Sequence, residues 1–566
     1  MRILFLFFCT LVFAQQRDYP QDYFVSPLDI PLHLSGSFGE LRNNHFHSGL
    51  DLKTKQQTGL PVYAAADGFV SRIKVSTWGY GKAIYVTHPN GYTTVYGHLE
   101  KFAPEIEAYI KQNQYKEKSF EVECFPRASE LKIKQGQRIA LSGNSGGSGG
   151  PHLHFEIRDS KTEKVINPMF FGFDKLITDT RPPIINSVYV YPIGGDSYAN
   201  DSQQVTAVNL SLQKDGSYLA QAIQANGKIG FGLNAYDMFD FNYNKNGIFS
   251  IHSSVNGKSD FSVVFNEFAF AETRYLNAFI DYAKLSSTKA RVQKLFIENS
   301  YPLSLVNASK KSGIITPMAN MTQIYKLVVS DFHQNKINIT IPVNHTNNPP
   351  KIKKKATETN YVLKHKIDNL YEKDKVSVYV PNGVFYNDFD LVFEVKDSLL
   401  TFADATIPVH KNYTITIKDT DISDSLRSKI YIASVTGKSK RYNKTSFTKD
   451  SFKTYTRNTG QFMLAQDTIA PSIRPINFSE GQWISTLPVL KVSITDDASG
   501  IDSYNAYLND QWILMEYDYK TNLLVHDFAD QKAKDGRNEF KIIVTDNVGN
   551  STIFETHFFR SQKNNE

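Results

Sequence analysis

Cysteine is nearly absent from this chain, which has two cysteines in 566 residues. Cys9 lies in an apolar run over residues 3–13 that follows an arginine and precedes a small residue. This pattern predicts a signal peptide over residues 1–14, and the alternative is a retained membrane anchor. Cleavage would leave Cys124 alone, which excludes an intramolecular disulfide. We therefore expect an exported protein of the periplasm or cell envelope.

The chain also lacks a second long apolar segment and a dense basic cluster. We therefore expect no membrane span after signal cleavage. The net charge is only +6, and no cluster of arginine and lysine is interleaved with aromatic residues, which argues against nucleic acid as a partner. The basic run over 351–355 follows two prolines and is interpreted as a linker.

Aromatic residues make up 13% of the chain, and alternating runs of Val, Ile and Thr are frequent, which predicts sheets. A chain of this length is too long for one core. We predict a mainly β protein. A small antiparallel β domain over 15–178, with an insertion at 102–130, precedes about three immunoglobulin-like β-sandwich domains over 179–348, 349–466 and 467–566.

A weak internal repeat supports the division of the C-terminal region. Each copy is about as long as one immunoglobulin-like sandwich, or somewhat longer. The matching segments are 179–185 with 467–473, 235–237 with 495–497, and 327–331 with 543–546.

The insertion begins with a helix signal. Pro104 suits the first position of a helix, and Ile106, Tyr109 and Ile110 would then share one face. Two interpretations remain open: a helix that only packs against the domain, or a wall or lid of a cleft.

Histidines concentrate at the start of the chain. Seven of the 14 lie at or before His154. His47 lies four residues before Asp51, and His152 and His154 alternate in a strand-like segment, so that their side chains share one face. Two histidines and a carboxylate are the usual protein ligands of a catalytic zinc ion. We therefore predict a metallohydrolase; the same ligand set also suits an Fe(II) oxygenase.

Several neighbouring residues are candidates for the same site. His98 ends a strand in which a period of two would place Tyr96 on the same face. Arg42 precedes the first histidine motif, and strict alternation would place Glu156 beside His154. We consider Arg42, Tyr96 and Glu156 as substrate-binding or supporting residues. His45 is a weaker alternative ligand, because only His47 has the four-residue spacing to Asp51.

The glycine-rich segment 142–150 precedes the second histidine motif. Such a loop can hold phosphate, but the lysine and the helix that normally follow a phosphate loop are missing. We interpret it as a flexible loop beside the cleft.

In this order, the motifs resemble those of the lysostaphin/LytM-type zinc endopeptidases of bacterial cell walls. The resemblance covers about residues 38–155, with Asn167-Pro168 after them. It is carried by His47-x-Gly49-x-Asp51, Gly59-x-Pro61-Val62-x-Ala64, Asp67-Gly68-x-Val70, Gly79-Tyr80-Gly81, Tyr96-x-His98-Leu99, Lys134-x-Gly136-Gln137 and Gly150-Pro151-His152-Leu153-His154-Phe155-Glu156.

The resemblance implies one Zn²⁺ held by His47, Asp51 and His154, with His98 and His152 as acid/base residues. It also implies a lysostaphin-like antiparallel fold with a duplicated hybrid motif, and peptidoglycan as the substrate. The C-terminal region differs from the family's common wall-targeting module, so we consider an envelope protein partner for it. The leading hypothesis is a secreted peptidoglycan endopeptidase. The alternative is a non-catalytic envelope scaffold, or an activator of other wall hydrolases.

Overall fold

The computed structural model describes residues 18–355 and 358–561. The predicted signal peptide and Cys9 therefore lie outside the described residues. Strands form most of the regular structure, which confirms the prediction of a mainly β protein. Within the described ranges, no helix is both long enough and apolar enough to cross a membrane.

The first unit is a strongly connected antiparallel sheet with one long helix. The elements are β1 Leu34–Gly36, β2 Leu50–Lys53, β3 Pro61–Tyr63, β4 Gly68–Val75, β5 Lys82–Thr87, β6 Tyr92–Phe102, α1 Pro104–Glu117, β7 Val122–Cys124, β8 Lys132–Ile133, β9 Arg138–Ser142, β10 His152–Asp159 and β11 Val165–Ile166. The main path of the sheet runs β1-β2-β10-β6-β5-β4-β7.

Helix α1 is the longest element of the insertion, and Pro104 occupies its first turn as predicted. Ile106 and Ile110 are buried, so this face packs against the sheet because it is apolar. The opposite side of the helix carries Lys111 and Tyr115, which both contact Asp530 near the C-terminus. The helix therefore packs between two parts of the chain.

The second unit is built around an 11-stranded sheet and contains the short helices α2 Leu276–Phe279 and α3 Tyr282–Thr288. Its strands are β12 Ile184–Ala199, β13 Thr206–Ala207, β14 Leu210–Leu212, β15 Tyr218–Ala220, β16 Ile223–Tyr236, β17 Ser250–Val255, β18 Lys258–Val264, β19 Glu267–Phe268, β20 Gln293–Lys294, β21 Val306–Ala308, β22 Gln323–Ser330 and β23 Lys336–His345.

The first two units share one hydrophobic core. Strand β19 leaves the second unit and pairs with β11 of the first. Phe46 packs against Phe265, Phe268 and Phe279, with ring centroids 5.6–6.3 Å apart. Because Phe46 directly precedes His47, the second unit supports the segment that carries this histidine.

The third unit consists of two five-stranded sheets and one two-stranded sheet around a separate core. It also contains the short helix α4 Asp424–Arg427. Its strands are β24 Tyr361–Leu363, β25 Asn369–Lys373, β26 Val376–Val380, β27 Phe389–Leu391, β28 Phe393–Lys396, β29 Leu399–Phe402, β30 Tyr413–Lys418, β31 Ile430–Thr436, β32 Ser439–Asn443, β33 Thr445–Phe447, β34 Ser451–Thr456 and β35 Gly460–Gln466.

The fourth unit has two four-stranded sheets around its own core, and it contacts the first unit. Lys82 forms an ion pair with Glu516 at 2.8 Å, and Trp78 packs on Tyr519. The strands are β36 Ser472–Pro475, β37 Val489–Thr495, β38 Ile501–Leu508, β39 Gln511–Ile513, β40 Glu516–Asp518, β41 Leu523–Asp527, β42 Gly536–Asp546 and β43 Ser551–Arg560. The domain boundaries and the immunoglobulin-like topology stay predictions.

Candidate active site

Neighbouring strands bring the two histidine motifs together. Strands β2 and β10 are antiparallel, and their register places His154 opposite Asp51. His47 lies just before β2. Asp51 Oδ1 is 2.9 Å from His47 Nε2 and 2.9 Å from His154 Nδ1, and these two nitrogens are 3.1 Å apart. All three residues are buried, so the three atoms converge on one buried point.

The second nitrogen of each histidine fixes the orientation of its ring. His47 Nδ1 donates to the Ser37 carbonyl at 2.7 Å, and His154 Nε2 donates to Glu156 Oε1 at 2.8 Å. When both rings are neutral, the remaining nitrogens present lone pairs to Asp51. Three acceptors so close together repel one another unless protons or a cation lie among them, and two imidazoles with a carboxylate are ligands that Zn²⁺ prefers. The residues therefore fit a zinc ion.

Glu156 lies behind the cluster and is fully buried. Besides the proton of His154, its carboxylate accepts hydrogen bonds from Ser48 Oγ and Tyr80 OH. Arg158 forms a buried ion pair with its other oxygen at 2.7 Å. A buried carboxylate is expensive unless it is paired and hydrogen-bonded, and this network satisfies both needs. Ser48, Tyr80 and Arg158 were not among the sequence candidates.

Arg42 holds the other oxygen of the Asp51 carboxylate. Its guanidinium donates to Asp51 Oδ2 at 2.9 Å and to Glu40 Oε2 at 2.9 Å. Gly36 allows this approach, since a Cβ there would lie 2.3 Å from Arg42 Nη2. Arg42 thus orients a cluster residue, and Asp51 Oδ1 stays directed at the two histidines.

His98 and His152 lie side by side at the edge of the cluster, with ring centroids 4.8 Å apart. His98 Nδ1 donates to the Ser145 carbonyl at 2.9 Å, and His152 Nδ1 donates to the Gly150 carbonyl at 2.8 Å. A neutral His98 ring therefore has an unprotonated Nε2, whereas His152 Nε2 contacts Asp51 Oδ1 at 3.3 Å. The glycine-rich loop thus supplies carbonyls that orient two histidines.

Burial, together with the neighbouring His154 and His152, lowers the pKa of His98 to about 3. His98 is therefore neutral at physiological pH. The pKa of Asp51 moves well below its usual range: burial raises it, but His47 and the hydrogen bonds from the histidines outweigh burial. Asp51 is thus a carboxylate, as a metal ligand must be.

Tyr96 does not reach the cluster, and the predicted shared face with His98 is wrong. His98 has a φ of 58°, and the pairing of β5 with β6 is irregular beside it. This irregularity breaks the alternation of the strand. Tyr96 lies opposite Phe155 in the register, is fully buried, and accepts a hydrogen bond from the Ala65 amide at 2.8 Å. It is a core residue of the sheet.

His45 is exposed and is not among the cluster residues; its Nδ1 contacts the Asn43 carbonyl at 2.8 Å. His88 is buried and bonded to the Asp67 carbonyl and Thr94 Oγ1. Each of these two histidines therefore has a local structural explanation.

Comparison with known proteins agrees with the motifs. The model of Peptidase family M23 matches residues 45–115 and 126–168, and the model of a Zu5-like domain matches 360–467. The second match falls on a segment that the sequence predicted as an immunoglobulin-like domain: its β character is confirmed, and its finer topology is not.

Two curated relatives match stretches of similar length. An uncharacterized metalloprotease of Haemophilus influenzae is 35% identical over 123 residues, which are 22% of this chain and 20% of the relative. The peptidoglycan DD-endopeptidase ShyA of Vibrio cholerae is 33% identical over 111 residues, 20% of each. The chain thus matches about a fifth of the length of these relatives.

Among solved structures, the catalytic domain of the prophage-encoded M23 protein EnpA from Enterococcus faecalis aligns at 25% identity. The alignment covers 27% of this chain and 98% of that domain, with a TM-score of 0.19. The family model and the curated relatives confirm the resemblance drawn from the motifs, and the chain therefore carries a domain of peptidase family M23, of the lysostaphin/LytM type.

Proposed function

We propose that this protein is an exported zinc-dependent endopeptidase that hydrolyses peptide bonds in peptidoglycan stem peptides or cross-links. One observation carries the proposal: His47, Asp51 and His154 converge within hydrogen-bond distance of one another, with His98 and His152 beside them. A domain that had kept only the fold would not need all five side chains. The Vibrio cholerae relative is a peptidoglycan DD-endopeptidase, which supports peptidoglycan as the substrate class.

In this proposal His47, Asp51 and His154 hold one Zn²⁺. The chemistry that zinc supplies in such a site is acidification of a water molecule and polarisation of a carbonyl oxygen. Arg42 keeps Asp51 in place from one side, and Glu156 keeps His154 in place from the other. These contacts fix the direction of the lone pairs before substrate arrives.

In this proposal, His98 and His152 accept and donate the protons of the reaction. His98 is placed to accept the proton of the attacking water through Nε2, because its Nδ1 is engaged by the Ser145 carbonyl. His152 is partly exposed, whereas the other four residues are buried. We assign it to the substrate side, where a protonated imidazole can stabilise the developing oxyanion and donate to the leaving amine.

The proposal is tested by mass spectrometry of fragments released from purified peptidoglycan, with and without a chelator. We expect chelator-sensitive cleavage by the wild-type protein. His98→Ala should reduce the rate by roughly 10²–10⁴-fold, the usual contribution of an acid/base residue, and should keep its zinc. His45→Ala is the matched control and should cleave normally, because His45 is exposed and outside the cluster.

The same experiment separates the enzyme from a non-catalytic scaffold or activator. If the zinc-loaded wild-type protein releases no fragments, and His98→Ala supports the same envelope phenotype as wild type, the scaffold explanation replaces the enzyme. Fragment masses would identify the bond that is cleaved.

A further inference from the structure

A second cluster of acidic residues lies away from the candidate active site, at the base of the second unit. Asp179 precedes β12, Asp237 follows β16 and Asp331 follows β22. Their exposed fractions are 6%, 1% and 1%, and one carboxylate oxygen of each lies within 4.8 Å of the other two. Three separate segments of the chain thus deliver carboxylates to one buried place.

Two oxygens in this cluster have no hydrogen-bond donor. Asp179 Oδ2 and Asp237 Oδ1 are both buried and accept no hydrogen bond from a donor, and the two carboxyl groups lie close enough to each other to share a proton. The nearest basic group is His333, whose Nδ1 is 3.9 Å from Asp179 Oδ2, beyond hydrogen-bond distance. Over the described ranges, no lysine or arginine forms an ion pair with Asp179, Asp237 or Asp331. Buried charges of one sign are normally compensated, so the cluster is incomplete as it stands.

The raised pKa values of two of these carboxyl groups reflect the electrostatic cost of the arrangement. Burial, with the nearby carboxylates of Asp179 and Asp331, raises the pKa of Asp237 to about 8. Burial also raises the pKa of Asp179, to about 6. Like charges in a shared site cannot all ionise without a compensating cation. Either a proton or a metal ion must therefore lie among the three groups.

The framework around the cluster occurs twice in the chain. Asn335 donates from its backbone and side chain to Asp331, and it also donates to the Asp179 carbonyl. In the fourth unit, Asn550 makes the same three bonds to Asp546 and Asp467. This correspondence follows the internal repeat seen in the sequence and shows that the carboxylates are held in a built arrangement.

The two copies differ in how their oxygens are satisfied. In the fourth unit the cluster is Asp467, Asp496 and Asp546. Asp467 Oδ2 accepts from the Ser499 amide at 3.0 Å, and Asp496 Oδ2 accepts from the Gly500 amide at 2.6 Å. The corresponding oxygen Oδ2 of Asp179 has no donor. The second copy therefore serves as an internal control for the first.

We propose that Asp179, Asp237 and Asp331 bind a calcium ion. The donors are carboxylate oxygens only, which favours a hard divalent cation over zinc or iron. Ca²⁺ accepts irregular sets of carboxylates, backbone carbonyls and waters, whereas Mg²⁺ demands a near-ideal octahedron. Ligands drawn from three loops suit the more tolerant ion.

The position of this site gives it a structural role. The segment from Asp237 to Gly247 leads from the cluster to the first unit. Asp237 and Asn246 exchange backbone hydrogen bonds at 2.9 Å. Next to them, the Gly247 amide donates to Ser37 Oγ at 2.9 Å, and the Ser37 carbonyl holds His47. A cation that fixes Asp237 would thereby support the strand edge that orients a zinc ligand.

A second contact of the same segment strengthens this link. Asn242 is buried; it accepts a hydrogen bond from Lys53 Nζ at 2.7 Å and donates to the Leu34 carbonyl. Lys53 ends β2, the strand that carries Asp51. The proposed calcium site is thus joined to both strands at the edge of the catalytic sheet.

The test uses the full-length mature protein, freed of calcium on a chelating resin and loaded with one equivalent of zinc. Calcium is then titrated by isothermal calorimetry, and the unfolding midpoint is measured with and without calcium. We expect about one Ca²⁺ per chain and a rise of at least about 2 °C in the midpoint, since a ligand of the native state stabilises it. Neither readout depends on peptidase activity.

Asp237→Asn and Asp179→Asn should each abolish calcium binding and the shift, whereas the matched control Asp496→Asn should keep both. Calcium binding that survives both variants of the first cluster would overturn the assignment. Wild-type protein that binds no calcium would also overturn the assignment. A higher unfolding midpoint of Asp237→Asn would then show that a shared proton occupies the cluster. If magnesium gives the larger shift, the choice of calcium is wrong.

Discussion

His154 Nε2 donates a hydrogen bond to Glu156 Oε1 across 2.8 Å, between two residues of the same strand. Both side chains are buried. This contact fixes the His154 tautomer and directs its Nδ1 at Asp51, and the Glu156 carboxylate is in turn held by Arg158 at 2.7 Å. A chain of buried polar contacts thus connects the candidate metal site to the interior of the sheet.

Two substitutions of Glu156 distinguish the effect of its charge from that of its hydrogen bond to His154. Glu156→Ala should destabilise the protein by about 3–5 kcal/mol, because it removes the buried partner of Arg158 and leaves this buried guanidinium only the exposed Glu163. Glu156→Gln can still accept the proton of His154, and we expect a smaller loss of stability with zinc affinity lowered roughly 10–100-fold. Urea unfolding and competition with a zinc-selective chelator measure the two effects. Equal zinc affinity in Glu156→Gln and wild type would contradict the role of the carboxylate charge.

Arg42 should act on the metal site through Asp51. Arg42→Ala removes the donor to Asp51 Oδ2, so the carboxylate can rotate away from the two histidines. We expect zinc affinity to fall about tenfold with a smaller change in global stability. Arg72→Ala is the matched control, since Arg72 pairs with Glu123 between β4 and β7, at the opposite end of the sheet from β1 and β2. Identical losses in the two variants would refute a specific effect.

Zinc binding should release a proton. Burial lowers the pKa of His154, but hydrogen bonds and charges from Asp51 and Glu156 outweigh burial and raise it to about 9. In the metal-free protein this raised pKa contributes stability that is complete below the ordinary value of 6.5 and is lost as the pH rises through about 9. Because zinc needs the neutral ring, its affinity should increase over the same interval.

Calorimetry in buffers of different ionisation enthalpy checks this prediction. At neutral pH we expect about one proton released per zinc bound. A binding enthalpy that is independent of the buffer would show that His154 is already neutral in the metal-free protein.

The fragment 15–178 should be much less stable than the full chain. It would lose the pairing of β11 with β19 and expose the aromatic face of Phe46, which packs on three phenylalanines of the second unit. Exposure of a buried aromatic side chain costs roughly 1.5–3 kcal/mol. We expect a fragment extended to residue 348 to unfold at a higher temperature than 15–178. Equal midpoints by calorimetry would argue that the shared core does not stabilise the catalytic segment.

Sequence alone determined the local features. The helix start follows from Pro104, and the strand that carries His152 and His154 follows from its alternating pattern. The histidine motifs were readable because their spacing is short and local. These features depend on neighbours in the chain, which the sequence displays directly.

Only the tertiary structure decided which side chains meet. The left-handed backbone at His98 broke the alternation that would have paired it with Tyr96, and no residue type signals such an irregularity. The partners of Glu156 and the core shared by Phe46 and Phe265 join positions far apart in the chain, where pattern gives no register. The carboxylates of Asp179, Asp237 and Asp331 appeared in the sequence only as a faint repeat. The fold brought them together because strands β16 and β22 end near the start of β12, and burial gives that proximity its electrostatic consequence.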